Sequence, residues 1–202
     1  MVNNQAFWRW FVKPLVFVLA SLPFLFLAWG AMQNDLGANP LEKVTEVTGN
    51  WALRILLLTL LITPLRQLTG IPQWLKLRRM LGLFAFFYAC LHFLTWAWLD
   101  QELLWSNILN DILERPYVTV GFLSWLILLP LALTSTSSMM RWLGKRWKQL
   151  HSFVYLSALL SLLHYLWLVK ADILMPMIYI GAFVVLMAAR PQIRNRIRNL
   201  AL

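Results

Sequence analysis

Between Pro14 and Met32 the chain runs nineteen residues, "PLVFVLASLPFLFLAWGAM", without one charged side chain. About 20 apolar residues in a helix cross the hydrocarbon of a bilayer. Five comparable runs follow, so the sequence predicts spans at about 14–32, 51–66, 80–99, 118–137, 150–169 and 173–189. The first run also has the basic start of a signal peptide, but it is too long for the apolar region of one. Composition agrees: 60% of residues are hydrophobic, against about 45–50% in ordinary soluble domains. The expected fold is an all-α membrane protein, a six-helix transmembrane bundle forming a single domain over residues 1–202. The connecting segments 33–50, 67–79, 100–117, 138–149 and 170–172 leave no room for a soluble domain, and no internal repeat stands out.

The net charge of +10 is distributed by segment. With the N-terminus placed in the cytoplasm, the inner segments hold Arg9, Lys13, Arg66, Lys76, Arg78, Arg79, Arg141, Lys145, Arg146, Lys148, Arg190, Arg194, Arg196 and Arg198, which is 14 of the 18 basic residues. The outer segments keep Lys43, Arg54, Arg115, Lys170 and all eight acids: Asp35, Glu42, Glu46, Asp100, Glu102, Asp111, Glu114 and Asp172. This satisfies the positive-inside rule with both termini cytoplasmic. The basic surplus is read as a topology signal facing anionic lipid headgroups, not as a nucleic-acid surface. The single cysteine, Cys90, excludes an intrachain disulfide and any multi-cysteine metal cluster.

The chain has three histidines, all in spans: His92, His151 and His164. An ionisable residue inside a membrane is a functional hypothesis by default. Counted from Arg79 and Lys148, His92 and His164 fall at similar depth in the outer part of two parallel spans, with His151 about 20 Å further in. Two imidazoles at one depth can ligate the iron of a haem from its two faces, and six-coordinate low-spin iron changes redox state with little rearrangement. The plainer alternative is a set of polar residues bonded to neighbouring helices. For His151 both readings stay open, since an uncoordinated histidine is cheap at the interface. Arg78, fourteen residues before His92, stands where a symmetric two-haem protein would place a fourth histidine. The inner site is therefore incomplete, and thirteen residues turn a helix by about 140° from a shared face. Small residues on the histidine faces, Gly82, Ala85, Ala89, Ser157 and Ser161, leave room for a porphyrin or let helices pack closely.

Arg54, one turn inside the outer end of the second span, is a candidate partner for a haem propionate or a snorkelling charge. Arg115 is a second propionate candidate, or a partner of Glu114. Cys90 is read as a packing residue, Trp96, Trp98 and Trp105 as an outer aromatic belt, and Pro64 and Pro130 as kinks or helix ends.

The segments "TGNWALRILLLTLLITPLRQLTG", "RRMLGLFAFFYACLHFLTW", "ILERPYVTVGFLSWLILLPLALTS" and "LGKRWKQLHSFVYLSALLSLLHYLWLVK" closely resemble the MsrQ family, formerly called YedZ. These are the haem-binding membrane subunits of the bacterial protein-methionine-sulfoxide reductase system. More distantly they resemble the ferric-reductase and NADPH-oxidase transmembrane domain. The resemblance implies an inner-membrane b-type cytochrome with haem b on His92, His164 and His151. It further implies electron transfer from the quinone pool or a cytoplasmic flavin reductase to an MsrP-like periplasmic molybdopterin subunit, where oxidised methionine is repaired. FMN is also implied, although no flavin motif places it. Unlike ferric reductases, the chain stops at Leu202 with no nicotinamide domain following, so its electrons are expected from a quinol or a separate reductase. Two rival readings are a stand-alone metalloreductase and a haem-free transporter using its histidines as relays. The shortage of acids within the spans weighs against the second.

Overall fold

The computed structural model describes residues 4–169 and 172–190. Lys170, Arg194, Arg196 and Arg198 of the charge argument lie outside the described residues. Among the described residues there is no strand, and the long helices are α1 (Gln5–Met32), α2 (Pro40–Thr69), α3 (Pro72–Asp100), α5 (Pro116–Leu133) and α7 (Lys145–Leu168). Shorter helices are α4 (Trp105–Glu114), α6 (Ser137–Leu143) and α8 (Leu174–Ala188). The five long helices are long and apolar enough to cross a membrane, and α8 is a 15-residue apolar helix.

Helix boundaries differ from the sequence expectation where polar residues decide them. α2 starts at Pro40, not near residue 51, because Asn39 caps it: its side chain accepts the Glu42 N–H at 3.2 Å, with Pro40 at the first helical position. At its far end Gly70 takes the left-handed conformation (φ 68°) and donates its N–H to the Arg66 carbonyl at 2.9 Å. α5 stops at Leu133, not near 137. There the Thr134 hydroxyl bonds the Pro130 carbonyl at 2.6 Å, and Thr136 caps α6. α7 starts at Lys145 after Gly144 (φ 51°), and a turn at Ser152 and Phe153 interrupts it just past His151.

Two antiparallel hairpins, α2–α3 and α5–α7, form the centre. Ile55, Leu60, Ala85, Tyr88, Ser157 and Ala158 are fully buried there. α1 leans on α3 through the ring pairs Trp8–Trp74, Phe17–Phe84 and Phe24–Phe87, and leaves Trp10, Phe26 and Trp29 exposed as a lipid-facing surface. Arg66 of α2 and the basic residues of α3 and α7 gather at one end of the bundle, while the acids lie at the other with Lys43 and Arg54 of α2.

Side chains distant in sequence bond the backbone at or beside two of the helical prolines. Beside Pro23 in α1, the Phe24 N–H donates to the Tyr88 hydroxyl at 3.1 Å, and that hydroxyl donates to the Ala20 carbonyl at 2.7 Å. Tyr88 thus stands inside a helical N–H···O=C pair of α1. Pro64 stays within α2 and offers no N–H to the Leu60 carbonyl; Arg190 Nη2 fills that carbonyl at 3.0 Å. Pro130 lies in the last turn of α5.

Candidate functional site

His92 on α3 and His164 on α7 face each other near the acidic end, ring centroids 6.0 Å apart and planes at 77°. Each Nδ1–H donates to a backbone carbonyl of the partner helix in its own hairpin: His92 to Thr45 at 2.9 Å, His164 to Tyr117 at 2.7 Å. That bond fixes the tautomer and leaves the lone pair on Nε2, as in histidines that ligate metals.

A glycine makes each contact possible. In an α-helix the carbonyl of residue 45 pairs with the N–H of residue 49, and a side chain at 49 would crowd whatever approaches that carbonyl. A Cβ at Gly49 would stand 2.9 Å from His92 Nδ1, and one at Gly121 would stand 2.7 Å from His164 Nδ1. The glycines therefore open the carbonyls one turn earlier to a second donor.

The two halves correspond at a constant offset of 72 residues: Thr45 with Tyr117, Gly49 with Gly121, His92 with His164. The expectation of no internal repeat is corrected here: the hairpins are a structural repeat. Its trace in the sequence is faint, Gly49 followed by Ile55-Leu56-Leu57 and Gly121 followed by Ile127-Leu128-Leu129. The small residues follow the same offset and serve close packing within each hairpin. Ser124 bonds Ser157 Oγ at 2.9 Å and Ser161 Oγ at 2.8 Å, where the first hairpin has Ala52, Ala85 and Ala89. Gly82 lies against Thr59.

His151 is apart from this pair, at the basic end. Its Nε2 lies 3.0 Å from the Thr134 hydroxyl, and its ring stacks on Trp147 at 3.9 Å. By the 72-residue offset its counterpart is Arg79, which is exposed; half-buried Arg78 is the arginine whose charge reaches both His151 and Arg190. Arg190, read from sequence only as a topology charge, is 4% exposed. It bonds the Tyr155 hydroxyl and the Leu60 carbonyl, and lies over the Tyr155 ring at 4.5 Å. Burial pulls its guanidinium below the ordinary range; Tyr155 opposes this and Arg78 adds to it.

Arg54 is exposed on α2 and donates Nε to the Tyr179 hydroxyl at 2.8 Å, with Trp51 below it at 5.3 Å. Tyr179 lies 6.0 Å from Tyr165, the residue after His164. Arg115 pairs with Asp111 at 2.9 Å, not with Glu114. A bond to Tyr117, then the charges of Tyr117 and Asp111, raise its guanidinium above its ordinary value. Cys90 accepts from Trp125 Nε1 at 3.5 Å, in a stack with Phe93.

The donor set decides what the histidine pair can hold. Among the described residues no three metal-ligating side chains converge, so a bare ion would have two protein ligands. A group carrying four in-plane donors needs only two more, one on each face. Ring centroids 6.0 Å apart put the two imidazoles close enough to hold one such group between them. The residues fit a haem.

Residues 48–162 match the family described as ferric reductase like transmembrane component, more than half the chain. The protein-methionine-sulfoxide reductase heme-binding subunit MsrQ of Xanthomonas euvesicatoria pv. vesicatoria (strain 85-10) is 48% identical over 184 residues, covering 88% of this chain and 84% of that protein. The protein of the same name from Bordetella pertussis (strain Tohama I / ATCC BAA-589 / NCTC 13251) is 48% identical over 181 residues, covering 89% and 88%. Together with its apolar helices, these likenesses make the chain a multi-pass membrane protein. It belongs to the MsrQ family, whose transmembrane core is of the ferric reductase like type.

Proposed function

We propose that this chain is the haem-carrying electron-transfer subunit of a protein-methionine-sulfoxide reductase system in the bacterial inner membrane. The observation that carries this reading is the facing pair His92 and His164, each locked to a carbonyl of its own hairpin. They would hold the haem; the Thr45 and Tyr117 carbonyls orient them, and Gly49 and Gly121 admit them. A haem b bound there supplies one-electron chemistry with little rearrangement at the iron. Arg54, beside Tyr179, is the propionate partner in this reading. His151 and Arg78 belong to a second, inner position that lacks a fourth histidine. FMN, also implied by resemblance, has no residue assigned to it.

The chain acts as a single transmembrane domain with six spans, α8 being the sixth, and both termini are cytoplasmic by the positive-inside rule. The acidic end then faces the periplasm, on the side of the histidine pair. Electrons come from the quinone pool or a cytoplasmic reductase and leave for an MsrP-like molybdopterin subunit, where the methionine-sulfoxide chemistry occurs.

The test is a dithionite-reduced minus oxidised spectrum of purified protein with pyridine-haemochrome quantitation. Wild type gives a low-spin b-type signal, and His92→Ala and His164→Ala lose it. His151→Ala reports the inner position through the haem-to-chain ratio. A wild type that stays colourless when expressed with ample haem overturns the reading.

A further inference from the structure

α4 sits between α3 and α5 and carries three faces. One face turns to the bundle: Ile108 and Asp111 are buried, and the Asp111 carboxylate accepts Trp96 Nε1 at 3.0 Å and Arg115 Nε at 2.9 Å. A second face is polar, with Ser106, Asn110 and Glu114 exposed. The third is apolar and equally open: Trp105, Leu109 and Leu113, at i, i+4 and i+8, are 77%, 55% and 80% exposed. At about 100° per residue the three face centres stand roughly a third of a turn apart.

The position of α4 says what covers the third face. α5 has 18 residues, about 27 Å of helix, close to the roughly 30 Å of bilayer hydrocarbon. Its first residue, Pro116, is therefore at the hydrocarbon boundary, and α4 ends at Glu114, with only Arg115 between them. At the other end the chain turns out of α3 through two consecutive left-handed residues, Glu102 (φ 53°) and Leu103 (φ 57°), each costing about 1–2 kcal/mol. So tight a connection holds α4 at the boundary. A helix there, beside the bundle, has protein on one side, water on another and hydrocarbon on the third, which are the three faces α4 presents. Trp98 and Leu99, on the last turn of α3, are exposed as well.

We propose that α4 is an interfacial helix whose Trp105–Leu109–Leu113 stripe is seated in the lipid of the leaflet at the acidic end of the bundle. Through Asp111 and Arg115 the same helix is tied to the start of α5, where the Tyr117 carbonyl holds His164. The membrane surface thus helps set the register of that end of the site. The proposal does not rest on the haem reading.

The test uses full-length Cys90→Ser protein in nanodiscs of phosphatidylethanolamine and phosphatidylglycerol, with single cysteines introduced for nitroxide labelling. Trp105→Cys, Leu109→Cys and Leu113→Cys probe the stripe; Ser106→Cys, Asn110→Cys and Glu114→Cys probe the polar face. All six positions are exposed, so labelling leaves the core untouched. The expected result is a ratio of oxygen to water-soluble nickel-chelate relaxation above one on the stripe and below one on the polar face. Nickel access at Leu109 and Leu113 would mean a water-facing surface open to a soluble partner, and would overturn the proposal. Protection from both reagents would mean that protein, such as a second copy of the chain, covers the stripe, and would overturn it equally.

Discussion

A methyl group added at Gly121 would stand 2.7 Å from His164 Nδ1, 3.0 Å from Cε1 and 3.1 Å from Cγ. Three ring atoms are in its way and the ring is rigid, so the imidazole must retreat as a unit. Ordinary van der Waals contact begins near 3.4 Å, so the retreat is about 0.7 Å. It moves the ring off the Tyr117 carbonyl, now 2.7 Å from Nδ1. Losing that hydrogen bond costs about 1 kcal/mol, and overpacking adds about 1–3 kcal/mol. Loss of an orienting bond of this kind typically weakens metal binding by about 10–100-fold. The control is Gly82→Ala, where the new Cβ meets only Thr59 Cγ2, at 3.8 Å. Alanine inside a helix is favoured over glycine by about 0.8–1.0 kcal/mol, so that variant keeps or gains stability. The assay is haem per chain with the thermal midpoint in one detergent. Gly121→Ala, and Gly49→Ala behind it, should lose haem and melt earlier, while Gly82→Ala does neither. The reasoning is refuted if Gly121→Ala retains a wild-type haem ratio and spectrum.

Three further outcomes can be checked by thermal unfolding in detergent. Tyr88→Phe strips the Ala20 carbonyl and the Phe24 N–H of their shared partner; it should cost about 1–3 kcal/mol while the haem ratio stays unchanged. Ser124→Ala removes the hub of the α5–α7 serines and should cost about 0.6 kcal/mol, but the triple change Ser124→Ala, Ser157→Ala, Ser161→Ala should recover most of that loss, since the α2–α3 hairpin already carries alanines there. Arg190→Lys keeps the charge but cannot hold the Leu60 carbonyl and the Tyr155 hydroxyl with one planar fork; its melting point should fall, and an unchanged value would remove the role given to Arg190.

The apolar runs announced themselves because a charge-free stretch of nineteen residues, such as 14–32, has few other uses. The meeting of His92 and His164 was also legible, since counting residues from the basic end gives depth, and depth on parallel helices gives proximity. What escaped depends on partners distant in sequence. The early start of α2 turns on a cap at Asn39 ahead of eleven mostly polar residues, Pro40 to Asn50, which a hydropathy reading assigns to a loop. Gly49 and Gly121 look like ordinary small residues until a ring from another helix is laid against them. Arg190 reads as one more positive charge because the carbonyl it fills is orphaned by Pro64, in a helix more than a hundred residues earlier. The repeat stayed hidden because lipid-facing positions constrain little beyond apolarity, so the two hairpins share a geometry with few identities.

The 72-residue correspondence also bears on how the molecule is put together. Each hairpin orients its own imidazole with its own carbonyl and its own glycine, so each half of the site is complete within its own hairpin. On the proposed haem ligation, neither half alone would supply both histidines. A haem held so would be a clasp across the seam between the two hairpins, and its binding would stabilise mainly that seam. Stripped of it, the protein should keep its helices and its hairpins and come apart first between them, with a resistance to unfolding that rises with the supply of haem.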